Sequence, residues 1–194
     1  ETRHEFDLLV GADGIGSRLR SAMGVRSRIV PAGVACWRAL VSVPTDDDPV
    51  EYVGARRRIG VVGLSAGTYL YLVESARPTA LRDLDLPGLR ERFAEFTDAH
   101  DLLEALTVMP RFDDLAELDR PAWGDARTVL IGDAAHAMTP NLGQGASMAI
   151  EDAVTLASLL RAGSPGWFEA FVEQRGPRVR WVQRTSRRLG KLLH

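Results

Sequence analysis

The sequence predicts an α/β fold with α+β character in its middle, and three observations carry the prediction. A short apolar run over 6–12 ends at an Asp-Gly turn. A second apolar run over 128–132 leads through a glycine-rich loop into a helical pattern. Between these runs, apolar and polar residues alternate as in half-buried strands. We therefore expect part of a three-layer domain, an inserted and mainly antiparallel sheet, and C-terminal helices.

The first outer piece is predicted to be a buried strand followed by a short helix. Asp13-Gly14 is a turn signal, and Ser17 is a good N-cap residue for a helix over 18–23. Because a buried strand stands almost at residue one, we expect the chain to be the later part of a longer protein. The expected domains are 1–27 and 121–194 for the outer domain and 28–120 for the inserted sheet domain.

The middle piece has the period-two pattern of a hairpin sheet. Turns are expected at 56–57 and 65–67, and helical spacing begins near Pro87. The predicted strands are 33–43, 51–55, 58–64, 69–74 and 107–115, with a second helix over 101–106.

The last piece is predicted to contain the strand 128–132, a helix over 145–160 and a helical tail. The tail begins at Trp167 and is expected to break at Gly176-Pro177, because proline lacks the N–H that the helix requires.

Composition limits the classes of function. The chain has 194 residues, 45% of them apolar and 26% charged, and a net charge of −2. This balance gives no case for a nucleic-acid partner or an anionic membrane surface. No apolar run approaches the roughly 20 residues of a membrane span. Cys36 is the only cysteine, which excludes an internal disulfide and fits a reducing cytoplasm.

The stretch from Gly132 to Ala153 is the richest in chemical features. Asp133 follows a buried strand, at the edge where α/β folds collect ligands. Pro140 stiffens the next turn, and glycines at 143 and 145 allow a flat ligand to approach the backbone. The helix that begins there points its N-terminal amides at the same place. An ordinary strand–loop–helix connection without a ligand is the alternative.

The stretch from Gly11 to Arg20 is a second, weaker motif. Its glycines do not follow the G-x-G-x-x-G order of the dinucleotide fingerprint. By itself, Asp13-Gly14 is as well explained by a plain turn, with Ser17 as a cap and Arg20 as a surface charge.

Together the two motifs resemble the group A flavoprotein monooxygenases, the single-component aromatic hydroxylases of the para-hydroxybenzoate hydroxylase type. The matching residues, in the family's order and separation, are Ala12-Asp-Gly14, Ser17, Arg20, Gly132-Asp-Ala-Ala-His136, Pro140, Gly143-Gln-Gly145, Ala149 and Glu151-Asp152. Trp37-Arg38 and Arg58-Ile-Gly60 are more similar to the salicylate hydroxylase and FAD-dependent urate hydroxylase branch.

The resemblance implies FAD as cofactor and NAD(P)H and O2 as co-substrates. Asp133 would bind the ribityl chain, and Pro140 would line the ring face where oxygen reacts. The amides of Ala146 and Ser147 would contact the pyrimidine end of the ring. The implied cofactor-binding residues are Asp13, Arg20, Gly132, Asp133, Pro140, Gly143, Gln144, Gly145, Ala146 and Ser147.

Asp13 and Arg20 would help to bind the pyrophosphate of FAD or the incoming nicotinamide nucleotide. The outer domain would then be part of a FAD/NAD(P)-binding domain, and the inserted sheet would bind a small aromatic or olefinic substrate. Substrate candidates are Trp37, Arg38, Tyr69 and Tyr71, although simple sheet packing explains each of them singly. The catalytic residues are unknown, and a homodimer is left open.

The family's G-x-G-x-x-G segment is missing from these residues, so the chain alone is expected to bind FAD weakly or not at all. A flavin-dependent reductase or halogenase on the same scaffold is an alternative, although the halogenase pattern W-x-W-x-I-P is absent. A non-catalytic truncated module is the alternative from a different class.

Several conspicuous residues are expected to be structural. His136 is predicted to bond a backbone group, and Glu151 and Asp152 to complement the dipole of their helix. His4, His100 and His194 show no metal-ligand spacing, and no metal site is expected. The arginine-rich run of the tail is predicted to be a solvated helix face. Its members are Arg175, Arg178, Arg180, Arg184, Arg187, Arg188 and Lys191.

Overall fold

The computed structural model describes residues 4–45, 48–76, 80–163 and 165–193. The chain divides into two compact units. The outer unit comprises Glu1–Val30 and Ala116–Leu192, and the inserted unit comprises Pro31–Leu115. The chain therefore leaves the outer unit after residue 30 and returns to it at residue 116.

Regular elements account for most of the described residues. The strands are β1 (Leu9–Gly11), β2 (Ile29–Val41), β3 (Val50–Val53), β4 (Arg57–Leu64), β5 (Gly67–Glu74), β6 (Arg111–Leu118) and β7 (Thr128–Leu130). The helices are α1 (Arg18–Ala22), α2 (Leu86–Arg92), α3 (His100–Glu104), α4 (Asp133–His136), α5 (Gly145–Ala162) and α6 (Trp167–Leu192). The predicted mixed α/β fold class is confirmed.

The outer unit is built on a parallel pair of strands. β1 pairs with β7, with Leu9 opposite Thr128 and Gly11 opposite Leu130. Val129 and Leu130 are both fully buried, as expected for a parallel strand covered on its two faces. In β1, however, Leu9 is 45% exposed and Val10 is 42% exposed, so the prediction that this strand is buried is wrong.

The inserted unit is a five-stranded sheet with the order β3-β4-β5-β2-β6. β3, β4 and β5 form the predicted antiparallel meander, and β5 also pairs antiparallel with β2. One face of the sheet supplies Ile59, Leu70 and Leu72 to a core that also contains Leu89 of α2. Period-two alternation therefore identified the strands correctly.

Helix α6 continues through the point where a break was expected. It runs from Trp167 to Leu192 with Pro177 inside it, so the predicted interruption is wrong. An internal proline costs a helix about 3 kcal/mol. Phe171, Val179 and Val182 are fully buried on the same helix, and their packing offsets that cost.

None of the helices in the described part of the chain is both long and apolar enough to cross a membrane.

Candidate cofactor site

The N-terminus of α5 is open to a ligand. Gly143 has a left-handed backbone (φ 63°), and Gln144 precedes the helix without a side-chain capping hydrogen bond. A Cβ built on Gly143 or Gly145 would meet no atom within 4 Å. Ala146 and Ser147 are exposed, and the first turn carries no acidic residue. Uncapped amides, a positive helix end and free space fit the electron-rich edge of a flat cofactor.

The Gly132–Asp133 turn brings a carboxylate to the end of β7. Gly132 adopts φ 58° and ψ −142°, a conformation that glycine alone adopts readily. A Cβ there would also lie 3.1 Å from the Cβ of Ala149 in α5, so glycine permits close packing of turn and helix. Asp133 is the first residue of α4, and it is exposed. It can therefore accept hydrogen bonds from a ligand.

Asp13 holds its own loop together. Its Oδ2 accepts hydrogen bonds from the backbone N–H groups of Arg18 (2.9 Å) and Leu19 (3.2 Å). The Ser17 side chain is the largest cause that lowers the pKa of Asp13 below its ordinary value, and these backbone N–H groups add to it. The Ser17 hydroxyl also accepts from the Arg20 N–H at 2.9 Å, which confirms its predicted role as N-cap.

Arg20 joins the two motifs from inside the outer unit. Its side chain is buried, with Nη1 donating to the carbonyl of Ala134 at 2.8 Å and Nη2 to the carbonyl of Ile15 at 2.5 Å. The sequence predicted a contact with a pyrophosphate or a nicotinamide nucleotide. That contact stays a prediction, and in the structure both terminal nitrogens of the guanidinium donate to backbone carbonyls, which connects the Asp13 loop to the Asp133 turn.

A buried ion network lies behind the same turn. Asp152 of α5 is fully buried, and its Oδ2 lies 2.5 Å from His136 Nε2 and 2.9 Å from the N–H of Gly132. Arg175 of α6 donates from Nε to Asp152 Oδ1 at 2.8 Å and from Nη1 to Glu151 at 2.5 Å.

Two predictions about these residues are wrong, and a third holds in part. His136 pairs through Nε2 with a carboxylate rather than a backbone group. Asp152 does more than complement a helix dipole, since it pairs with a histidine and an arginine. The solvated face is confirmed for five of the seven basic residues of α6, but Arg175 is buried and Arg187 bonds Glu117 at 2.5 Å. The exposed five are Arg178, Arg180, Arg184, Arg188 and Lys191. One signal was available, because Asp152 stands midway between Met148 and Leu156 at four-residue spacing on the buried face of α5.

The acidic pair on α5 makes stability depend on pH. Hydrogen bonds from Arg178 and then Arg175 lower the pKa of Glu151 to about 2. A depressed folded-state pKa stabilises the protein above the unfolded-state pKa, near 4.3, and the contribution is lost as pH falls through the folded value. We expect the urea midpoint to fall more steeply between pH 4.3 and about 2 in the wild type than in Glu151→Gln.

Urea unfolding followed by circular dichroism at several pH values measures this dependence. Glu173→Gln, an exposed change on α6, is the matched control and should follow the wild type. Parallel midpoint curves for the wild type and Glu151→Gln would contradict the prediction.

The four substrate candidates lie in the inserted unit, on opposite faces of its sheet. Trp37 is fully buried in the core, with its ring 6.0 Å from Phe93 and 5.5 Å from Phe112. Arg38 of β2 stands opposite Tyr71 of β5 in the strand register. Tyr69 lies on the same face of the sheet, two residues before Tyr71 in β5. The position of Trp37 is that of a packing residue, the alternative that the sequence left open.

The second face carries polar partners for its aromatic residues. Arg38 donates to Asp113 from Nε at 2.9 Å and from Nη2 at 2.5 Å. The Tyr71 hydroxyl lies 3.2 Å from Glu51, and burial is the largest cause that raises its pKa to about 12. Tyr69 and Tyr71 are half-buried, with ring centroids 6.1 Å apart. This face can therefore offer rings, a hydroxyl donor and a guanidinium.

Cys36 is not equipped as a nucleophile. Its thiol is buried, and desolvation raises its pKa to about 11, so it stays protonated near neutral pH. The described residues contain no group of three or more His, Cys, Asp or Glu side chains that could hold a metal ion. His194 lies outside the described residues.

An open helix N-terminus and a carboxylate at a strand end, both in an α/β unit, are typical of the class of proteins that bind nucleotide cofactors. Comparison with known proteins identifies the family. Residues 2–184 match the FAD binding domain family, and the chain belongs to it. The resemblance to the group A flavoprotein monooxygenases is confirmed.

Individual relatives support the assignment. The chain is 35% identical to 2-heptyl-3-hydroxy-4(1H)-quinolone synthase of Pseudomonas aeruginosa and 33% identical to salicylate hydroxylase of Pseudomonas putida. Each alignment covers 98% of this chain and 53% of the relative. The crystal structure of Klebsiella pneumoniae HpxO complexed with FAD and uric acid superimposes with a TM-score of 0.88 at 27% identity, covering all of this chain and 53% of that one. The chain thus spans about half the length of these relatives.

Proposed function

We propose that this chain is the part of a FAD-dependent monooxygenase that binds the flavin ring and ribityl chain, and that carries the substrate sheet. The open N-terminus of α5 beside exposed Asp133 supports the proposal most directly. The whole enzyme would use NAD(P)H and O2 in the cytoplasm, on a small aromatic or olefinic substrate.

FAD, when bound, supplies the transfer of electrons from NAD(P)H to O2 and of one oxygen atom to the substrate. The chain's own residues bind and orient it. The α5 amides at Ala146 and Ser147 stabilise negative charge on the pyrimidine edge. Asp133 accepts hydrogen bonds from ribityl hydroxyls, and Pro140 lines the ring.

The backbone around Gln144 contributes close contact rather than a side-chain function. Gly143 and Gly145 flank it, and both leave room for a planar ring. The inserted sheet would orient the substrate through Arg38, Tyr69 and Tyr71. We assign Trp37 a supporting role, because it is buried beneath the opposite face of that sheet.

The purified chain is expected to be colourless and to bind flavin weakly. The G-x-G-x-x-G pattern that cradles a dinucleotide pyrophosphate does not occur in these residues, so the ring and ribityl contacts must act alone. A tightly bound flavin, near one equivalent per chain, would contradict this expectation.

Titration followed by amide NMR tests the assignment of the site. FAD and riboflavin should shift the same amides, from Gly132 to Ser147, whereas ADP should leave them unchanged. Asp133→Ala should weaken riboflavin binding, while Glu173→Ala, an exposed change on α6, should not. Shifts with ADP and none with riboflavin would refute the proposed site.

NAD(P)H oxidation in the presence of a panel of phenols tests the reaction, using the protein expressed from its complete reading frame. The expected result is substrate-dependent oxidation with oxygen consumption. Reduction of FAD without oxygen transfer would favour a reductase.

A further inference from the structure

We propose that Asp152 is the positioning residue of the flavin site, because its buried carboxylate holds the turn that presents Asp133. The proposal rests on the proposed function. Asp152 itself lies beneath the surface and touches no ligand position, since its side chain is fully buried. It would act through the backbone of the turn.

The carboxylate of Asp152 clamps both ends of α4. Gly132 is the residue that precedes this single helical turn, and His136 is its last residue. Oδ2 of Asp152 binds the N–H of Gly132 at 2.9 Å and Nε2 of His136 at 2.5 Å. Because an ionised carboxylate only accepts, Nε2 carries the hydrogen. One oxygen atom therefore fixes the start and the end of the turn in which Asp133 stands.

A second set of contacts holds Asp152 in place. Its other oxygen accepts from Arg175 Nε at 2.8 Å, and Arg175 Nη2 donates to the carbonyl of Met148 at 3.2 Å. Arg175 comes from α6 and is itself buried. The carboxylate of Asp152 is thus held by α5, which carries it, and by Arg175 of α6. It cannot rotate away from the turn without breaking this buried ion pair.

Three backbone carbonyl groups in and just after the turn are also held from inside. Arg20 donates to Ala134, and Gln183 Nε2 donates to His136 at 3.3 Å and to Ala137 at 3.1 Å. Ala134, Ala135 and His136 are buried, and Asp133 is the exposed member of α4. The network therefore fixes the backbone and leaves the Asp133 side chain facing outward.

The negative charge of Asp152 is necessary to the clamp. Burial raises its pKa, but hydrogen bonds from His136, Gly132 and Arg175 outweigh burial and lower the pKa below its ordinary value. Every partner of the carboxylate is a donor. An asparagine has one acceptor oxygen, so its NH2 group would face either Arg175 or the Gly132–His136 pair, donor against donor. Asp152→Asn therefore keeps the shape of the side chain but cannot make all of the hydrogen bonds that hold the turn.

The experiment compares variants of this chain by NMR, well below their melting temperatures. In the wild type the Gly132 amide should be protected from hydrogen exchange. In Asp152→Asn we expect that protection to be lost and the riboflavin dissociation constant to rise about tenfold, the scale of one charge-assisted hydrogen bond. Glu151→Gln is the matched control, because Glu151 shares Arg175 but contacts neither Gly132 nor His136 among the described contacts.

A second pair of variants keeps the test decisive if Asp152→Asn does not fold. His136→Ala removes the donor at the end of the turn, whereas the amide of His136→Gln can replace Nε2. The Gln variant should restore exchange protection and riboflavin affinity relative to the Ala variant. Equal behaviour of the two, or a folded Asp152→Asn with unchanged protection and affinity, would overturn the proposal.

The two proposals fail in different ways. If the wild type shows no flavin-induced shifts while the variants lose protection of Gly132, the clamp is correct and the flavin site is not. If flavin shifts the wild type and Asp152→Asn alike, the flavin site stands and the positioning role is refuted.

Discussion

Replacing Arg175 by methionine is expected to lower the free energy of unfolding by about 3 kcal/mol or more. The reason is the fully buried Asp152 carboxylate, which would lose its Nε–H partner at 2.8 Å. Removing one member of a buried ion pair leaves an uncompensated charge, which costs more than the pair contributes. Methionine keeps much of the side chain's length, so lost packing adds little to the effect.

Equilibrium urea unfolding measures this change, with circular dichroism as the signal. Arg178→Met is the matched control, because Arg178 binds the same Glu151 from an exposed position one helical turn away. Exposed ion pairs contribute little to stability. If the two variants lost the same stability, burial of the network could not be the cause.

The second large effect is expected at Gly132, where Gly132→Ala should destabilise the protein by about 3 kcal/mol. Two costs combine. An L-residue is strained at φ 58° and ψ −142°, and the new Cβ would lie 3.1 Å from Ala149 Cβ. A shift of the turn to relieve that contact would stretch the hydrogen bond from Gly132 to Asp152.

Gly163→Ala isolates the cost of a positive φ alone. Gly163 has nearly the same φ (62°), but its ψ of 22° is ordinary left-handed helix, and a Cβ there would meet nothing within 4 Å. It should lose only about 1 kcal/mol. Denaturant unfolding of both variants measures the difference. Equal losses would show that positive φ alone, rather than the ψ angle and the contact with α5, makes Gly132 necessary.

The sequence was a good guide where a local pattern decides the structure. Alternation located β4 and β5 to within two residues, and the Ser17 cap located the start of α1. The glycine-rich loop also predicted where α5 begins, because glycine, proline and a following apolar period are local signals.

The sequence was a poor guide where distant residues decide. Charge alone made Arg175 a surface residue, yet its partners Asp152 and Glu151 lie more than twenty positions away. Pro177 predicted a break by local rules, and packing along α6 overrode them. The buried hydrogen bond from Arg20 to the carbonyl of Ala134 was not predicted either, because a long-range backbone acceptor has no sequence signature.

The interrupted outer unit has a consequence for the order of folding. Its parallel strand pair joins Leu9 to Thr128 across the inserted unit, whereas Pro31–Leu115 of the inserted unit form one continuous segment. Closing so long a loop costs conformational entropy before any contact offsets it, which slows folding. During synthesis, the inserted unit is complete before β7, α5 and α6 have been made. The hydrogen bonds of Asp152 can therefore form completely only after α6 has emerged.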